Sequence, residues 1–572
     1  MAVQRIARAA GIIMVGSVLS RVLGLGREVV ISHQFGADYK VDAFTAASHI
    51  STIIYDLLIS GMVSAALVPV LSEYAAPERR AELGRIVGIV LTGAVLLLLI
   101  GVGALEVFAA PLVHFIVDCP TACPQTEQLA LNMTQVVLPG VLFMGVSAVL
   151  MATLYALQRF SFPSFAMSSL NAAIIAAGLL LAGVSGITSL ALGMVAGAVL
   201  MVLIQAPGVR DVPIRPSVDF RHPAVQRILK LYAPIALSLV ISQLALIFDR
   251  RFAFEVGEGS VSAMRYGTTL IQFALGIVGA AISLAALPSL SRHFARGDDP
   301  AYRRTLGAGI RLVTVLVLPA AAGLFFLAVP LVTLFFQRGA FHEADKWSTV
   351  LALLCYVPGL PGAALNQVLI FGFYSRKNTV VPVVVGIAGV GVYLVAALAL
   401  KGALGMAGLV LASSAQLTFN AAVTGLLLWR SLGGLRGQEV GSTALKAGLG
   451  AGLMGVVSFA TWAGMERLLP APGTLIGQVL ALAVPGALGG LAYAATLWYL
   501  RVGELDLVLG LVRRRLPGGR GAPPRDLLPH DGRQEDIVLD DALQALGAES
   551  LGGSLEPRLV SVDLAGPERD EF

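Results

Sequence analysis

The chain has 572 residues, 56% of them hydrophobic and only 13% charged, with a formal net charge of +5 and a mean hydropathy of +0.82. A soluble protein of this length covers its surface with roughly a quarter charged residues, so a soluble multidomain chain, a disordered chain and a secreted disulfide scaffold are excluded. Apolar runs long enough to cross a bilayer recur, for example at 86–105, 174–203 and 380–400, and the expected fold class is an all-α polytopic membrane protein.

About fourteen transmembrane helices are expected, near 6–34, 42–73, 84–116, 128–157, 164–184, 188–207, 228–255, 261–290, 306–336, 347–374, 380–400, 404–429, 446–466 and 475–501. Arg5 and Arg8 before an apolar stretch resemble the start of a signal peptide. The apolar pattern runs past Arg21 without a cleavage site of small residues, so an uncleaved first helix is expected. Gly24-Leu25-Gly26 lies inside that helix and reads as a hinge or a close-packing point rather than a nucleotide loop. Basic residues fall in alternate loops: Arg79 and Arg80; Arg210, Arg215 and Arg221; Arg292, Arg296, Arg303 and Arg304; Arg376 and Lys377; Arg430 and Arg436. The intervening loops carry chiefly Lys40, Arg338, Lys346, Lys401 and Arg467. The positive-inside rule then places both termini in the cytoplasm. The net positive charge thus reflects topology, and no nucleic-acid partner is expected.

Cys119 and Cys123 fall in an expected outer loop, where a disulfide between them is one reading and two free thiols another; no His lies near for a metal. From Glu504 onward, eight Arg stand against fourteen Asp and Glu. This polar segment, 504–572, reads as a disordered cytoplasmic tail; a short amphipathic helix at 536–546 for a cytoplasmic or cell-wall partner is the less favoured alternative.

The chain also repeats itself at an offset of 219 residues. Pro69 and Pro288, Pro111 and Pro330, Pro139-Gly140 and Pro358-Gly359, Tyr155 and Tyr374, and Pro163 and Pro382 all share that spacing. Proline is rare enough inside helices to make the coincidence informative. The expected organisation is two parallel six-helix lobes, 1–207 and 228–430, a cytoplasmic linker at 208–227, and two additional helices within 446–501. Secondary transporters are commonly built from such repeats, with a substrate site between the halves.

No P-loop, metal-binding cluster or nucleophile–base arrangement is present in the sequence, so a transporter without a resident cofactor is expected, driven by a coupling ion or the membrane potential. Ionisable residues inside spans are costly and normally face a cavity or a partner. Here they are Arg21, Arg27, Glu28, Asp42 and Asp56 in the first half, and Asp249, Arg250, Arg251 and Arg265 in the second. Five cations against four anions suggest a hydrated, slightly cationic cavity suited to a phosphate. The alternative is that they simply pair across helices, with Arg27 near Glu28 or Asp42 and Arg250 or Arg251 near Asp249.

Ser20-Arg21-Val22-Leu23-Gly24-Leu25-Gly26-Arg27-Glu28, Phe35-Gly36-Ala37 and Val41-Asp42-Ala43-Phe44 resemble the opening of the MurJ/MviN lipid II flippases. The likeness continues through Ala66–Tyr74, Leu287–Ser291, Arg303-Arg304-Thr305-Leu306 and Arg338-Gly339-Ala340-Phe341, in order over about residues 5–430. The resemblance implies the multidrug/oligosaccharidyl-lipid/polysaccharide exporter fold. It also implies an undecaprenyl-pyrophosphate-linked precursor as partner, carried between leaflets of the bacterial cytoplasmic membrane by two lobes in alternating access, among membrane lipids. Arg21, Arg27 and Asp42 match charged cavity positions of the family, and Glu28 stands where an Asp is usual. The chain departs from the family at residues 49–56, where a basic motif is replaced by His49 through Asp56. It departs again at Thr269 and Gln367, where an Arg and a Lys are expected. An exporter of another lipid-linked glycan or of a drug, and a non-transporting scaffold for cell-wall assembly, are the alternative functions.

Overall fold

The structure, a computed structural model, describes residues 2–56, 63–117, 124–434, 437–468 and 474–505. Cys119, Cys123, the segment 536–546 and all of the tail beyond Leu505 lie outside the described residues. The long helices are α1 (Ala2–Phe35), α2 (Tyr39–Tyr55), α3 (Arg80–Val107), α4 (Pro124–Ala156), α5 (Ser161–Leu180), α6 (Thr188–Gln205) and α7 (Pro223–Val256). They continue with α8 (Ser260–Ala295), α9 (Asp299–Phe326), α10 (Glu343–Ser375), α11 (Val380–Leu404), α12 (Met406–Ser431), α13 (Val440–Leu468) and α14 (Leu475–Tyr499).

Helix is the one open-ended way for an apolar segment to satisfy its backbone inside lipid. Among the described residues, ten helices, α3 to α6 and α9 to α14, are long and apolar enough to cross a membrane. The other four, α1, α2, α7 and α8, hold or border all nine in-span charges named above. Large apolar side chains face outward along the apolar helices, among them Leu180, Val395 and Leu491, while Trp498 and Tyr499 stand exposed at the end of α14. In water such a surface would aggregate, whereas in a bilayer it is the solvent-facing side, with the aromatic pair at interface depth.

Two expected spans prove to be broken. The third ends at Val107 and resumes as the short helix Ala109–Ile116, and the ninth ends at Phe326 and resumes as Ala328–Phe335. Pro111 and Pro330 explain both breaks: each lacks an N–H, and its ring clashes with the carbonyl four residues earlier, that of Val107 or Phe326. Each bound of α9 lies 219 residues after the matching bound of α3, and the same holds for the two short helices and for α4 and α10. Pro139 is carried within an unbroken α4, yet α10 passes through a 3-10 turn at Val357–Gly359. The second half has two prolines there, Pro358 and Pro361, and the Ser414 hydroxyl donates to the Cys355 and Tyr356 carbonyls at 2.6 and 3.3 Å.

After α6 the chain runs back along α3. Gly84 and Gly88, one turn apart on the same face of α3, meet the carbonyls of Pro213 and Arg215, and Ser217 N–H donates to Thr92 Oγ1 at 3.2 Å. Arg159 grips Asp211 with two parallel bonds of 2.6 and 2.8 Å and so holds that carboxyl below the usual range. A Cβ on Gly88 would fall 2.0 Å from the Arg215 carbonyl oxygen. Gly88→Ala is therefore expected to cost about 1–3 kcal/mol by overpacking and to lift this segment. Trypsin should then cut after Arg221 faster than in the wild-type chain; unchanged digestion would show that the packing carries no load.

The last two helices, α13 and α14, pack on each other and on α9. Tyr493 donates to the Val315 carbonyl at 2.7 Å, and Arg311 pairs with Glu504 and donates to the Gln438 carbonyl. A basic residue inside α9 is thereby neutralised by the segment that follows α14.

Candidate functional site

The centre of the charged region is Glu28, whose side chain is 1% exposed. Arg27, its neighbour on α1, donates from Nε and Nη2 to Glu28 Oε1 at 3.0 and 2.7 Å. Arg265 reaches across from α8, Nε to Oε2 at 2.8 Å and Nη2 to Oε1 at 3.0 Å. A carboxylate removed from water is tolerated only if paired and hydrogen-bonded, and here two guanidinium groups from opposite halves of the sequence share one. Both arginines are further fixed: Arg27 by Asn171 Oδ1 of α5 at 3.0 Å, and Arg265 by Thr45 Oγ1 of α2 at 2.9 Å and by the Phe44 ring at 5.2 Å. Asn171 also donates to the Ser20 carbonyl at 3.2 Å, so a single amide ties α5 to two turns of α1.

Arg21 lies nearly two turns before Arg27 on α1. It is exposed and donates to the Gln272 carbonyl of α8 at 3.2 Å. A Cβ on Gly276 would run into its guanidinium, so the absence of a side chain there makes room for it. Arg21, Arg27 and Arg265 against Glu28 leave a formal excess of two positive charges along the α1–α8 seam.

At the Phe35 end of α1 the two halves are joined by backbone as well as side chains. Asp42, 1% exposed, accepts from the N–H groups of Gly259 and Ser262 at 2.8 and 2.7 Å. It thus serves as the cap of α8, although it belongs to α2; free N–H groups at a helix start favour an anion. Tyr266 donates to the Gly36 carbonyl at 2.7 Å, Ala340 N–H to the His33 carbonyl at 2.9 Å, and Tyr39 N–H to Glu258 Oε1 at 3.3 Å. Gly36 sits at φ +72° with the Ala340 carbonyl where a Cβ would be, so it meets both the conformational and the spatial demand for glycine.

The remaining candidates go elsewhere. Asp249 is bonded by the Tyr393 hydroxyl of α11 at 2.5 Å, not by an adjacent arginine. Arg251 donates to the Phe115 carbonyl at 3.1 Å, lies over that ring at 4.5 Å and pairs with Glu255 at 3.3 Å; Lys401 pairs with the same Glu255. Asp56 closes α2 as its C-cap. Arg250 forms no ion pair or hydrogen bond among the described residues. Gly24 and Gly26 face Asn171 and Ile175 of α5 within an unbroken helix, so they act in packing. Asn171, Thr45, Ser262 and Tyr393 were not identifiable as partners from the sequence, since single polar residues in apolar helices give no sign of what they face, and Gly259 takes part only through its backbone N–H.

The family profile described as "Lipid II flippase MurJ" matches residues 31–476. A Haemophilus influenzae protein described as a probable lipid II flippase MurJ is 33% identical over 439 residues, covering 73% of this chain and 84% of the relative. The solved structure of a lipid II flippase MurJ in an inward closed conformation superposes with a TM-score of 0.72 at 22% identity, over 87% of this chain and 99% of that one. An inward-facing multidrug resistance transporter of the MATE family, in the MOP superfamily, superposes with a TM-score of 0.63 at 15% identity, over 73% of this chain and 95% of that one. The profile match spans most of the sequence, including the capping Asp42 and the cross-half partner Arg265, and this chain belongs to the MurJ lipid II flippase family.

Proposed function

We propose that this chain carries lipid II, the undecaprenyl-pyrophosphate-linked disaccharide pentapeptide, from the inner to the outer leaflet by alternating access. It is a multi-pass protein of the bacterial inner membrane and a transporter. In this reading α1 to α14 all span the membrane with both termini cytoplasmic. Residues 1–207 and 228–430 form two parallel lobes joined by the linker 208–227, and 446–501 holds the added pair. The recurrence of helix bounds at 219 residues supports the two-lobe plan.

One observation carries the reading: Glu28 buried between Arg27 of one half and Arg265 of the other. Two guanidinium forks held beside one carboxylate, with Arg21 further along the seam, leave a surplus matching the two charges of a pyrophosphate diester. Arginine keeps its charge at any working pH and binds phosphate oxygens in pairs. Because the cluster spans the seam, a bound anion acts on the contact between the halves, and binding is thereby coupled to their separation. The lipid tail stays in the bilayer beside the apolar outer surface.

Arg27→Ala is expected to abolish growth of a flippase-depleted bacterium while the protein still inserts, a loss of at least about a hundredfold in transport if one charge-assisted bidentate contact is worth ~3 kcal/mol. Transport is read as lipid II accessible in the outer leaflet. Undiminished accessibility with Arg27→Ala and with Arg21→Ala would remove the basis for the site.

A further inference from the structure

The 219-residue repeat makes α7 the counterpart of α1, and the short helix Ala109–Ile116 the counterpart of Ala328–Phe335. Each half therefore sets the end of one long helix against the broken span of the other, and the two contacts are built differently. The α1 end is joined largely by backbone. Ala340 N–H donates to the His33 carbonyl at 2.9 Å, Tyr266 donates to the Gly36 carbonyl, and Gly36 leaves room for the Ala340 carbonyl. At the α7 end the residue equivalent to Gly36 is Glu255, and side chains make the join. Arg251 donates to the Phe115 carbonyl at 3.1 Å and lies over the Phe115 ring at 4.5 Å. Glu255, one turn further along α7, accepts from Arg251 Nε at 3.3 Å and pairs with Lys401 near the end of α11. The Lys401 ammonium also lies over the Phe252 ring at 4.4 Å.

The two contacts differ in what parting them costs. Separating the α1 end strips backbone groups and the buried Asp42 and Tyr266 of their partners, and a buried polar group left without one is expensive. The side chains of Arg251, Glu255 and Lys401 are each about a quarter exposed, so water can take over their bonds as they part. Ion pairs that water can reach hold little free energy. We infer that the Arg251–Phe115 contact is the outer contact between the halves that parts first during transport, and that Glu255 is the residue that positions it. The inference rests on the alternating-access reading above, with the ends of α1 and α7 on the outer side. Glu255 fixes the guanidinium at Nε and leaves Nη1 for Phe115, while Lys401 ties the same carboxylate to α11. A shift of α7 against α11 therefore acts on the contact with the first half, and the backbone-joined α1 end yields later.

The test uses the full chain in right-side-out membrane vesicles, with Cys119, Cys123 and Cys355 replaced by Ser and one reporter at a time. The reporters are Val117→Cys, two residues past Phe115, and Ala37→Cys, on the turn after α1. Both positions are buried, so modification by an impermeant maleimide added outside reads opening. Arg251→Gln should speed modification at Val117→Cys by about fivefold or more and leave Ala37→Cys within about twofold. Glu255→Gln should reproduce most of that gain, and Glu255→Asp less of it. Raising the ionic strength about tenfold screens the Arg251–Glu255 tether. It should therefore speed Val117→Cys where Glu255 is present and have no such effect in Glu255→Gln. A general loss of stability would instead expose both reporters and would not follow salt. Should Arg251→Gln fail to insert, the salt response with the native ion network decides. Equal acceleration of both reporters, or of neither, would overturn the order of opening and leave the flippase reading intact. A wild-type chain that exposes no lipid II in the outer leaflet of the same vesicles would overturn the reading on which that order rests.

Discussion

Glu28→Gln is expected to unfold at a clearly lower temperature than the wild-type chain and to lose transport, while Glu28→Gln combined with Arg265→Gln regains much of the lost stability. The carboxylate is 1% exposed and accepts four N–H bonds, two from each arginine. The glutamine oxygen can accept some of these, but its amide group points donors at donors and leaves two guanidinium charges facing each other. Removing one partner of a buried pair costs about 3–5 kcal/mol, because the remaining charge has nowhere to go. The lower end applies here, since Arg27 is 28% exposed and can relax outward, whereas Arg265, at 13%, cannot. Eliminating the second charge removes most of that penalty, which is why the double variant separates a broken ion pair from a general packing defect. Thermal unfolding of the four proteins in detergent gives the coupling directly. If the double variant is as unstable as the sum of the singles, the three residues do not act as a unit.

Asp42→Ala is expected to loosen the contact between the halves at the Phe35 end of α1 and to make that end accessible. The side chain accepts from two backbone N–H groups at the start of α8, in a setting where it is 1% exposed. Alanine leaves both donors without a protein partner, at about 1–3 kcal/mol. Asparagine should cost less, because its oxygen can still take one of them. If that free energy stabilises the closed arrangement, its loss raises the open population by about fivefold or more. Ala37, 5% exposed on the turn between α1 and α2, offers a reporter. With the Phe35 end outside, as proposed above, and in an Ala37→Cys background whose Cys119, Cys123 and Cys355 are replaced by Ser, Asp42→Ala should speed modification by an impermeant maleimide added from the outer side. Equal rates in the two backgrounds would mean that the cap stabilises α8 without holding the halves together.

The two variants probe different depths of one seam. Glu28 lies about seven residues, or roughly 10 Å, along α1 from Phe35, so a cargo that competes for Arg27 and Arg265 acts below the cap. Binding can then weaken the ion cluster without touching Asp42, and opening at the Phe35 end requires the cap to yield as well.

Much of this was legible in the sequence. The positions of the helices follow from apolar runs, and the breaks at Phe108 and Leu327 could have been read from Pro111 and Pro330. They were missed because the residues on both sides are equally apolar, so hydropathy passes through the break. The in-span charges stood out because charge inside lipid is costly. Their partners did not. Of the two pairings considered for Arg27, the neighbouring Glu28 is the one formed, and Asp42 turned out to be a helix cap. Asp249 offered itself to either adjacent arginine and took neither.

The sequence by itself therefore determined the class of molecule, the placement of most helices and the short set of charged residues from which a site had to be built. Only the tertiary structure decided which of them meet. Helical periodicity says which face a residue occupies, but a contact such as that of Glu28 with Arg265, 237 residues away, depends on how two long helices cross. It also depends on how far a flexible guanidinium reaches, and neither is encoded in local pattern. The same packing leaves Arg250 without an ion-pair partner among the described residues, a property no single stretch of sequence could reveal.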